Sequence, residues 1–345
     1  MSHIVESLWY KNRCAAWIVG ALFPLATLFS VVAYLRKQYL LRRQRPAFTV
    51  PIIVVGNITV GGAGKTPLVI ALVEHLQAQG LKPAVVSRGY GGAAQYPYRL
   101  AADSTAAQSG DEPLLIFKRC GCPVVVAPQR VDAVAAVLAH TDANVIISDD
   151  GLQHYALPRS MEIAVIDGAR GLGNGWRLPL GPLREPVARL KTVDFVVTNG
   201  EAIAPLAAVL QRERVCAWLM QLQLGELRAV REHMFTDAPV AGDKIHAVAA
   251  IGHPQRFFNS LESLGFAVDA HPFADHHAFD ADELLFSSNY PVVMTEKDAV
   301  KCAMFDNLRN HWFLPVAAHL SPAFWQAFDA KLAVIAPSLM VNVNK

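Results

Sequence analysis

A glycine-rich segment followed by lysine and threonine contains the residue types that point most directly to chemistry. The segment reads GNITVGGAGKTP over residues 56–67. Backbone N–H groups in such a loop converge on an anion, and the N-terminus of the next helix adds partial positive charge. The pattern predicts a P-loop that binds ATP, with Lys65 on the β- and γ-phosphates and Thr66 on Mg²⁺.

The nucleotide-binding residues predicted for this loop are consecutive. They are Thr59, Val60, Gly61, Gly62, Ala63, Gly64, Lys65 and Thr66. Thr59 stands where the strict pattern has glycine, and a loop that serves only as a tight turn is the alternative interpretation. The flanks favour a P-loop, because an apolar strand pattern precedes it and leucines at helical spacing follow it.

Two acids follow a second apolar run, at residues 145–148. Asp149 and Asp150 come where the carboxyl end of a parallel strand would meet the phosphate loop. Carboxylates in that place hold Mg²⁺ directly or through water, so both are predicted metal ligands. The alternative is a strand-end turn whose aspartates cap a helix.

Two further clusters carry acid–base groups. SGDEP at 109–113 contains Asp111, and FADHHAF at 273–279 contains Asp275, His276 and His277. An aspartate in such a place can accept a proton from a substrate hydroxyl, as a kinase base does. The residues alone favour more ordinary roles, namely an acidic first turn of a helix for the first cluster and a solvated turn for the second.

Other cations and thiols carry weaker signals. Arg88 and Arg184 are candidates to supply positive charge to a phosphate, whereas Lys297 is interpreted as no more than a surface charge. The five cysteines are odd in number and scattered, which argues against a disulfide framework. The Cys120-Gly-Cys122 pair lacks zinc-site spacing, so reduced cytosolic thiols are expected.

The N-terminal region has an unusual composition. Residues 14–35 contain no charged side chain. This uncharged run is long enough to cross a bilayer, although Pro24 interrupts it. Residues 1–45 hold seven Lys/Arg and one acid, a balance of +6, which leaves −4 for the rest of the net +2. Such an arm predicts contact with an anionic membrane surface and not with nucleic acid, and the positive-inside rule puts the body in the cytoplasm. A core helix is the alternative, and a cleaved signal peptide is disfavoured by the basic cluster that follows.

The rest of the chain alternates strand and helix patterns, which predicts an α/β fold with a parallel sheet. Strands are expected at 52–55, 83–87, 124–127, 145–148, 163–166 and 193–198, and the pattern restarts from residue 244 after an extended, polar stretch at 214–232. We therefore expect a membrane-associated arm at 1–45, a P-loop NTPase-like lobe at 46–225, and a smaller α/β lobe with its linker at 226–345.

The ordered set of motifs resembles the tetraacyldisaccharide 4′-kinase family of lipid A biosynthesis. The motifs are GNITVGGAGKTP (56–67), SRGYGG (87–92), GDEP (110–113), DDGLQH (149–154), GPLREP (181–186), IGHPQRFF (251–258), FADHHAF (273–279) and TEKDAVK (295–301). The resemblance implies transfer of the γ-phosphate of ATP to the 4′-hydroxyl of tetraacyldisaccharide 1-phosphate, giving lipid IVA. It also implies two α/β/α lobes with the nucleotide between them, at the cytoplasmic face of a Gram-negative inner membrane.

The resemblance further implies roles for particular residues. Asp111 becomes the catalytic base and His276 its partner, which reverses the preference for ordinary roles at both. Lys65 and Thr66 serve phosphate and Mg²⁺, and the family tolerates a residue other than glycine at Thr59.

Two other functions compete with this one. A membrane-tethered P-loop ATPase switch would share the P-loop and the aspartates but would not need the GDEP or DHH motif. A kinase of a soluble small molecule would leave the apolar arm unexplained.

Overall fold

The computed structural model describes residues 3–10, 16–43, 48–231 and 237–340. The strands are β1 (Ile52–Gly56), β2 (Pro83–Ser87), β3 (Tyr98–Arg99), β4 (Val124–Val126), β5 (Val145–Ser148), β6 (Met161–Asp167), β7 (Phe195–Asn199), β8 (Ala217–Leu224), β9 (Arg228–Ala229), β10 (Lys244–Ala249), β11 (Ala267–Pro272), β12 (Val292–Thr295), β13 (His311–Leu314) and β14 (Val316–Leu320). The helices are α1 (His3–Tyr10), α2 (Ala16–Arg42), α3 (Lys65–Ala78), α4 (Ala106–Ser109), α5 (Asp111–Cys120), α6 (Arg130–His140), α7 (Ala204–Glu213), α8 (Pro254–Ser263), α9 (Glu296–Cys302), α10 (Pro322–Ile335) and α11 (Pro337–Met340). Short 3₁₀ helices cover Val187–Lys191 and Ala281–Leu284.

The first sheet carries the P-loop. Its strand order is β14-β8-β7-β6-β1-β5-β2-β4-β3, and β1 lies between β5 and β6 with both neighbours parallel to it. The central strands β1 and β5 are buried along their whole length because both faces of the sheet are covered. One core includes Leu68 and Leu72 of α3, and the other includes Val134 and Val137 of α6. The α/β prediction for this lobe is confirmed.

The second sheet is smaller. Its order is β11-β10-β12-β13-β9, with only the edge strand β9 antiparallel. Helix α8 packs Phe258 and Leu261 into the core on one face, and α9 packs Ala299 and Cys302 into the core on the other. The predicted second α/β lobe is therefore present, and it has a core of its own.

The C-terminal segment returns to the first lobe, which corrects the assignment of all of 226–345 to the second. Strand β14 pairs antiparallel with β8, and Phe324, Phe328 and Leu332 of α10 are fully buried in the first core. The extended, polar stretch at 214–232 also begins inside the first sheet, as β8. Apolar periodicity predicted that these segments form regular structure, but it does not indicate which of the two sheets a strand joins or which sheet a helix packs on.

The N-terminal arm contains a long apolar helix that is mostly outside the core. Within the part of the chain that the structure describes, Val19–Arg42 is long and apolar enough to cross a membrane, with mean hydropathy 1.6 and 6% of its most apolar window buried. Leu28 and Leu35 are about 60% exposed, so the core-helix alternative is wrong. The helix continues through Pro24. Helix α1 docks on the first lobe, where the Trp9 indole N–H donates to the Pro179 carbonyl at 3.0 Å.

Candidate active site

The glycine loop joins β1 to α3 and ends in a left-handed residue. Gly64 has φ +88°, and a Cβ there would lie 2.4 Å from the Asn199 side-chain amide, so the position requires glycine. Helix α3 begins at Lys65 and places Thr66 in its first turn. The Lys65 Nζ lies 3.5 Å from Asp150 Oδ1. The loop, the helix N-terminus and the lysine thus converge at one place, as an anion site requires.

The remainder of the loop is held by the GPLREP motif. The Val60 N–H donates to the Pro182 carbonyl at 2.9 Å, and Thr59 bridges to Leu183. Residues 59–64 of the predicted nucleotide-binding set therefore lie in one continuous loop, and Lys65 and Thr66 begin the helix that follows it. Its departure from the strict glycine pattern coincides with this extra backbone pairing at Thr59.

Asp149 is buried at the carboxyl end of β5 with neither carboxylate oxygen hydrogen-bonded among the described residues. Burial, reinforced by the negative charges of Glu112 and Asp150, raises the pKa of Asp149 to about 7. An unpartnered buried carboxylate is costly, and a cation beside it would remove that cost. Together with the Thr66 hydroxyl, these oxygens are the hard donors that Mg²⁺ prefers, so the residues fit that ion.

Asp150 has a different environment from its neighbour. It lies 3.4 Å from Arg184 Nη1 as well as close to Lys65, and these cations hold the pKa of its carboxyl below the ordinary value although burial opposes them. Its φ of +48° turns the backbone sharply after the strand. The two aspartates, both within the field of Lys65, therefore have opposite pKa shifts, and perturbed pKa values of this kind are typical of functional sites.

Asp111 and His276 form a pair that joins the two lobes. The imidazole Nδ1 lies 3.0 and 3.1 Å from the two carboxylate oxygens. Asp111 is the first residue of α5, after Gly110 with φ +86°, so the helix-start interpretation was correct but incomplete. His276 has φ +62° and follows β11 of the second lobe. Residues 165 positions apart are thereby brought into hydrogen-bonding contact.

The pKa shifts within this pair have opposite signs. Burial opposes ionisation of Asp111, but the hydrogen bond from His276 and the charge of Lys297 hold the pKa of this carboxyl below its ordinary value. The same hydrogen bond raises the pKa of His276, although burial and Lys297 oppose that rise. The pair is thus an ionised carboxylate with a histidine as its hydrogen-bond donor, an arrangement suited to accepting a proton.

Lys297 is part of this cluster, so its interpretation as a surface charge was wrong. Its Nζ lies 3.2 Å from Glu112 Oε1, 3.5 Å from His276 Nε2 and 3.7 Å from Asp111 Oδ2, and its side chain is only 16% exposed. The isolated sequence TEKD gave no sign of this, because α9 must first be packed against α5 of the other lobe. Arg119 of α5 and Glu296 of α9 provide that packing contact at 2.8 Å.

The two histidines of the DHH motif have separate partners. His276 faces Asp111, whereas His277 Nε2 lies 2.9 Å from Glu283 beside a short 3₁₀ helix. The expectation that adjacent histidines do not share one site is therefore met. The backbone N–H of His276 donates to the Ala250 carbonyl at 3.3 Å, which anchors the loop that carries both histidines.

A cavity of about 660 Å³ opens between the exposed helix α2 and the first lobe, beside Asp150. Its α2 side includes the apolar residues Phe29, Val32 and Ala33. The rest of the lining is rich in cations: α2 itself adds Arg36 and Lys37, and the first lobe provides Arg88, Arg130, Arg177 and Arg184 beside Asp150 and Glu185. The cavity thus has an apolar part on α2 and a cation-rich part that is suited to an anion.

Arg130 was missed by sequence reasoning. Its side chain is 1% exposed and donates to the carbonyls of Ala127 and Asp149, and burial lowers its pKa to about 10. Burial and the charges of Arg130 and Arg88 also lower the pKa of His154 in the same wall to about 3, so this imidazole is neutral. The only sequence signal was an arginine among apolar residues at the start of a helix pattern, which is too common to mark a site.

Comparison with known proteins adds three findings. A family model described as tetraacyldisaccharide-1-P 4′-kinase, LpxK, matches residues 18–333. Curated tetraacyldisaccharide 4′-kinases from Aeromonas hydrophila and Alkalilimnicola ehrlichii are 49% and 50% identical, over 95% of this chain and 96% and 97% of theirs. The crystal structure of LpxK from Aquifex aeolicus in complex with ATP has a TM-score of 0.73 and 23% identity, over 92% of this chain and 99% of that one.

Proposed function

The chain belongs to the tetraacyldisaccharide-1-phosphate 4′-kinase family of lipid A biosynthesis, and from its geometry we propose how its residues carry out this ATP-dependent phosphorylation. The observation that carries the proposal is the Asp111–His276 pair, in which the carboxylate of one lobe lies 3.0 Å from the imidazole of the other. Lys297 contacts this pair and also Glu112. The charge of Glu112 in turn raises the pKa of Asp149 beside the P-loop. A proton acceptor and a phosphate-binding loop therefore belong to one cleft.

The nucleotide is proposed to bind at the P-loop. The backbone N–H groups of residues 61–66, which include the N-terminus of α3, would hold the phosphates of ATP, with Lys65 reaching the β- and γ-phosphates. To reach them, Lys65 exchanges its contact with Asp150 for one with phosphate. The relative from Aquifex aeolicus, which has the same fold, was solved with ATP.

The metal-binding residues are proposed to be Thr66, Asp149 and Asp150. Mg²⁺ bound there would neutralise charge on the phosphates of the nucleotide. Asp149 contributes a buried carboxylate without a hydrogen-bond partner among the described residues, and its pKa of about 7 means that a cation is needed to keep it ionised at neutral pH. Asp150 is kept ionised by Lys65 and Arg184 and orients both cations towards the cleft.

The acceptor hydroxyl is proposed to be activated by Asp111. The carboxylate removes the proton of the 4′-hydroxyl as its oxygen bonds to the γ-phosphorus, the bond from that phosphorus to the β–γ bridging oxygen breaks, and ADP leaves. His276 holds the carboxylate in position through Nδ1, and Lys297 keeps it ionised. Positioning and charge neutralisation supply most of the remaining catalysis, as in other phosphoryl transfers.

The acceptor lipid is proposed to enter through the cavity beneath α2. The apolar side of this cavity fits acyl chains, and its basic wall fits the anionic end of the disaccharide. Helix α2 would lie in or across the inner membrane with the body on its cytoplasmic face, which keeps the acyl chains in lipid while the sugar reaches the cleft. Lipid substrate and membrane surface are thus the two partners.

The proposed roles are tested by Asp111→Asn in an assay with γ-labelled ATP, Mg²⁺ and the lipid in detergent micelles. We expect kcat to fall by about 10²–10⁴-fold, the usual contribution of a general base, while ATP affinity is retained. The matched control is Asp103→Asn, at an exposed turn, which should leave kcat unchanged.

Two outcomes would count against the proposal. A kcat within twofold of the wild type in Asp111→Asn would return this residue to a purely helix-starting role. Label released only as inorganic phosphate by the wild type, whatever the lipid concentration, would instead support an ATPase switch, which does not need the pair.

A further inference from the structure

A second group of ionisable side chains lies in the smaller lobe and has no part in the proposed reaction. His246 is on β10, and Asp269 and His271 are on the neighbouring strand β11. The parallel register places His246 opposite Asp269, and His271 follows two residues later on the same face. The strand pairing itself therefore brings an imidazole, a carboxylate and a second imidazole together.

The spacing of the donor atoms fits a single metal ion. His246 Nδ1 lies 3.0 Å from His271 Nε2 and 3.3 Å from Asp269 Oδ2, and His271 Nε2 lies 3.8 Å from Asp269 Oδ1. One donor atom from each residue can be chosen so that all lie within 4.8 Å of one another. Zinc–ligand bonds of about 2.0–2.2 Å in a tetrahedron place ligand atoms about 3.3–3.6 Å apart, close to these separations.

The other ring nitrogen of His246 has its own partner, as metal-bound histidines usually do. Its Nε2 lies 2.6 Å from the Ser288 hydroxyl, and its ring stacks on Phe286 at 4.0 Å between centroids. A proton on Nε2 that is donated to Ser288 leaves the lone pair of Nδ1 directed at the other two residues. The ring is only 6% exposed and cannot turn away without losing both contacts.

The surroundings distinguish this group from a chance cluster of surface acids. Two of its three members are imidazoles, whose neutral form is a common ligand of transition metals. Asp269 and His271 are 47% and 28% exposed, so the group opens to solvent on one side. An ion could enter there and keep one position for water.

We propose that His246, Asp269 and His271 bind one divalent transition-metal ion of the zinc class. The ion would be separate from the catalytic Mg²⁺, because a site with two imidazoles suits zinc whereas Mg²⁺ prefers oxygen. His271 stands five positions before His276 in the chain, at the end of β11. A metal that ties β11 to β10 would therefore stabilise the strand from which the catalytic loop departs.

The test is titration of the full-length, tag-free and nucleotide-free protein with Co²⁺ and then Zn²⁺. We expect visible absorption typical of four-coordinate Co²⁺ with one equivalent per chain, and its loss when Zn²⁺ displaces the Co²⁺. His271→Ala should abolish the band, and Ser288→Ala should weaken affinity about tenfold, the lower end for an outer partner of a metal ligand. Zn²⁺ should also raise the melting temperature of the wild type but not of His271→Ala.

Two matched variants separate this site from others. His319→Ala removes an exposed histidine from β14, and Asp149→Asn alters the proposed Mg²⁺ site; both should keep the band. Asp269→Asn, which preserves shape, serves if His271→Ala does not fold. A band unchanged in His246→Ala and Asp269→Asn would overturn the proposal, and so would no band at all, which would mean that the histidines only share a hydrogen bond.

Discussion

Single charges decide the protonation of the Asp111–His276 pair. Lys297 approaches both members, at 3.7 Å from the carboxylate and 3.5 Å from the imidazole. Its positive charge lowers the pKa of each, so it favours the ionised carboxylate and opposes a charged imidazole. The apparent pKa values of such a pair belong to the two groups together.

Lys297→Met is therefore expected to move the acidic limb of the pH–rate profile to higher pH. Loss of the cation raises the pKa of Asp111, so the base becomes protonated at a pH where the wild type is still active. The profile of kcat/KM measures this shift directly. Lys191→Met, at a half-exposed surface lysine, is the matched control. An acidic limb that stays in place or moves down would show that Lys297 does not act on the base.

Asp149→Asn is expected to stabilise the metal-free protein at pH 8 while it abolishes phosphoryl transfer. The folded-state pKa of Asp149 is about 7, above its ordinary value, so the wild type loses stability as pH rises from the ordinary carboxyl pKa to about 7. Asparagine carries no charge, so the variant avoids that loss. We expect its free energy of unfolding to exceed that of the wild type by roughly 1–3 kcal/mol, the usual cost of an unpartnered buried polar group.

The measurement is urea unfolding in EDTA at pH 5 and pH 8. The free energy of unfolding of the variant should exceed that of the wild type by more at pH 8 than at pH 5, and Mg²⁺ should narrow the difference at pH 8. Asp132→Asn, exposed on α6, should change neither. A variant less stable than the wild type at pH 8 would mean that the Asp149 carboxylate makes a favourable contact in the folded protein.

Residues local in sequence were easier to predict than those that depend on packing. The P-loop and the two aspartates follow strands directly, so local pattern sufficed to place them in one region. Asp111 and His276 were assigned only by resemblance to a family, since each alone has an ordinary explanation. Lys297 and Arg130 could not be assigned, because their environments are created by contacts with distant segments.

The family motifs also act as structural elements. In TEKDAVK, Thr295 caps α9, and the Asp298 carboxylate accepts the N–H of Ala250 at 2.9 Å. The Ala250 carbonyl in turn accepts the His276 N–H. In IGHPQRFF, Arg256 makes a bidentate contact of 2.9–3.0 Å with Asp167 at the end of β6. The first motif thus joins the end of β12 to the loop after β10 within the smaller lobe. The second joins the smaller lobe to the end of β6 in the first lobe.

Phe328→Ala is expected to cost about 3–5 kcal/mol, because it removes a fully buried aromatic ring of α10 from the first core. Val334→Ala on the same helix should stay within about 0.5 kcal/mol, since its side chain is 79% exposed. Chemical denaturation that follows tryptophan fluorescence measures both. A small effect of Phe328→Ala would indicate that α10 contributes little to the first lobe.

The positions of the strands along the chain were predicted well, whereas the sheet to which the last strand belongs was not. The period-2 and apolar-run patterns report how a segment is buried, and β1, β2 and β5 appear where expected. They do not report the partner, so β14 was assigned to the wrong sheet. Pairing across about ninety residues is a tertiary choice that local pattern does not encode.

At the scale of the whole molecule, the basic, apolar arm is proposed to contact the membrane, whereas the acidic body contains the P-loop and the Asp111–His276 pair. Helix α2 leaves its apolar residues exposed and also forms one wall of the basic cavity. Membrane attachment and acceptor binding would then use overlapping parts of a single helix, since the exposed Val32 and Tyr34 also line the cavity.

Leu28→Glu is expected to weaken binding to anionic vesicles at least tenfold, because a charge in the middle of an inserted helix costs about 2.5–3.5 kcal/mol. Leu28 is 60% exposed and does not line the cavity, so ATP binding should be unchanged. The control is Val240→Glu, at a comparably exposed residue of the other lobe. Vesicle flotation compares the two, and equal binding would mean that another surface attaches the protein.

The return of β14 to the first sheet has a consequence for synthesis on the ribosome. Strand β8 is made about ninety residues before its partner, a delay of roughly 5–20 s at 5–20 residues per second. During that time the smaller lobe is synthesised up to β13, while β8 keeps an open edge with unpaired backbone groups. The lobe that is begun first is therefore finished last, and a chain that ends between β13 and β14 would expose the β8 edge although all strands of its smaller lobe have been made.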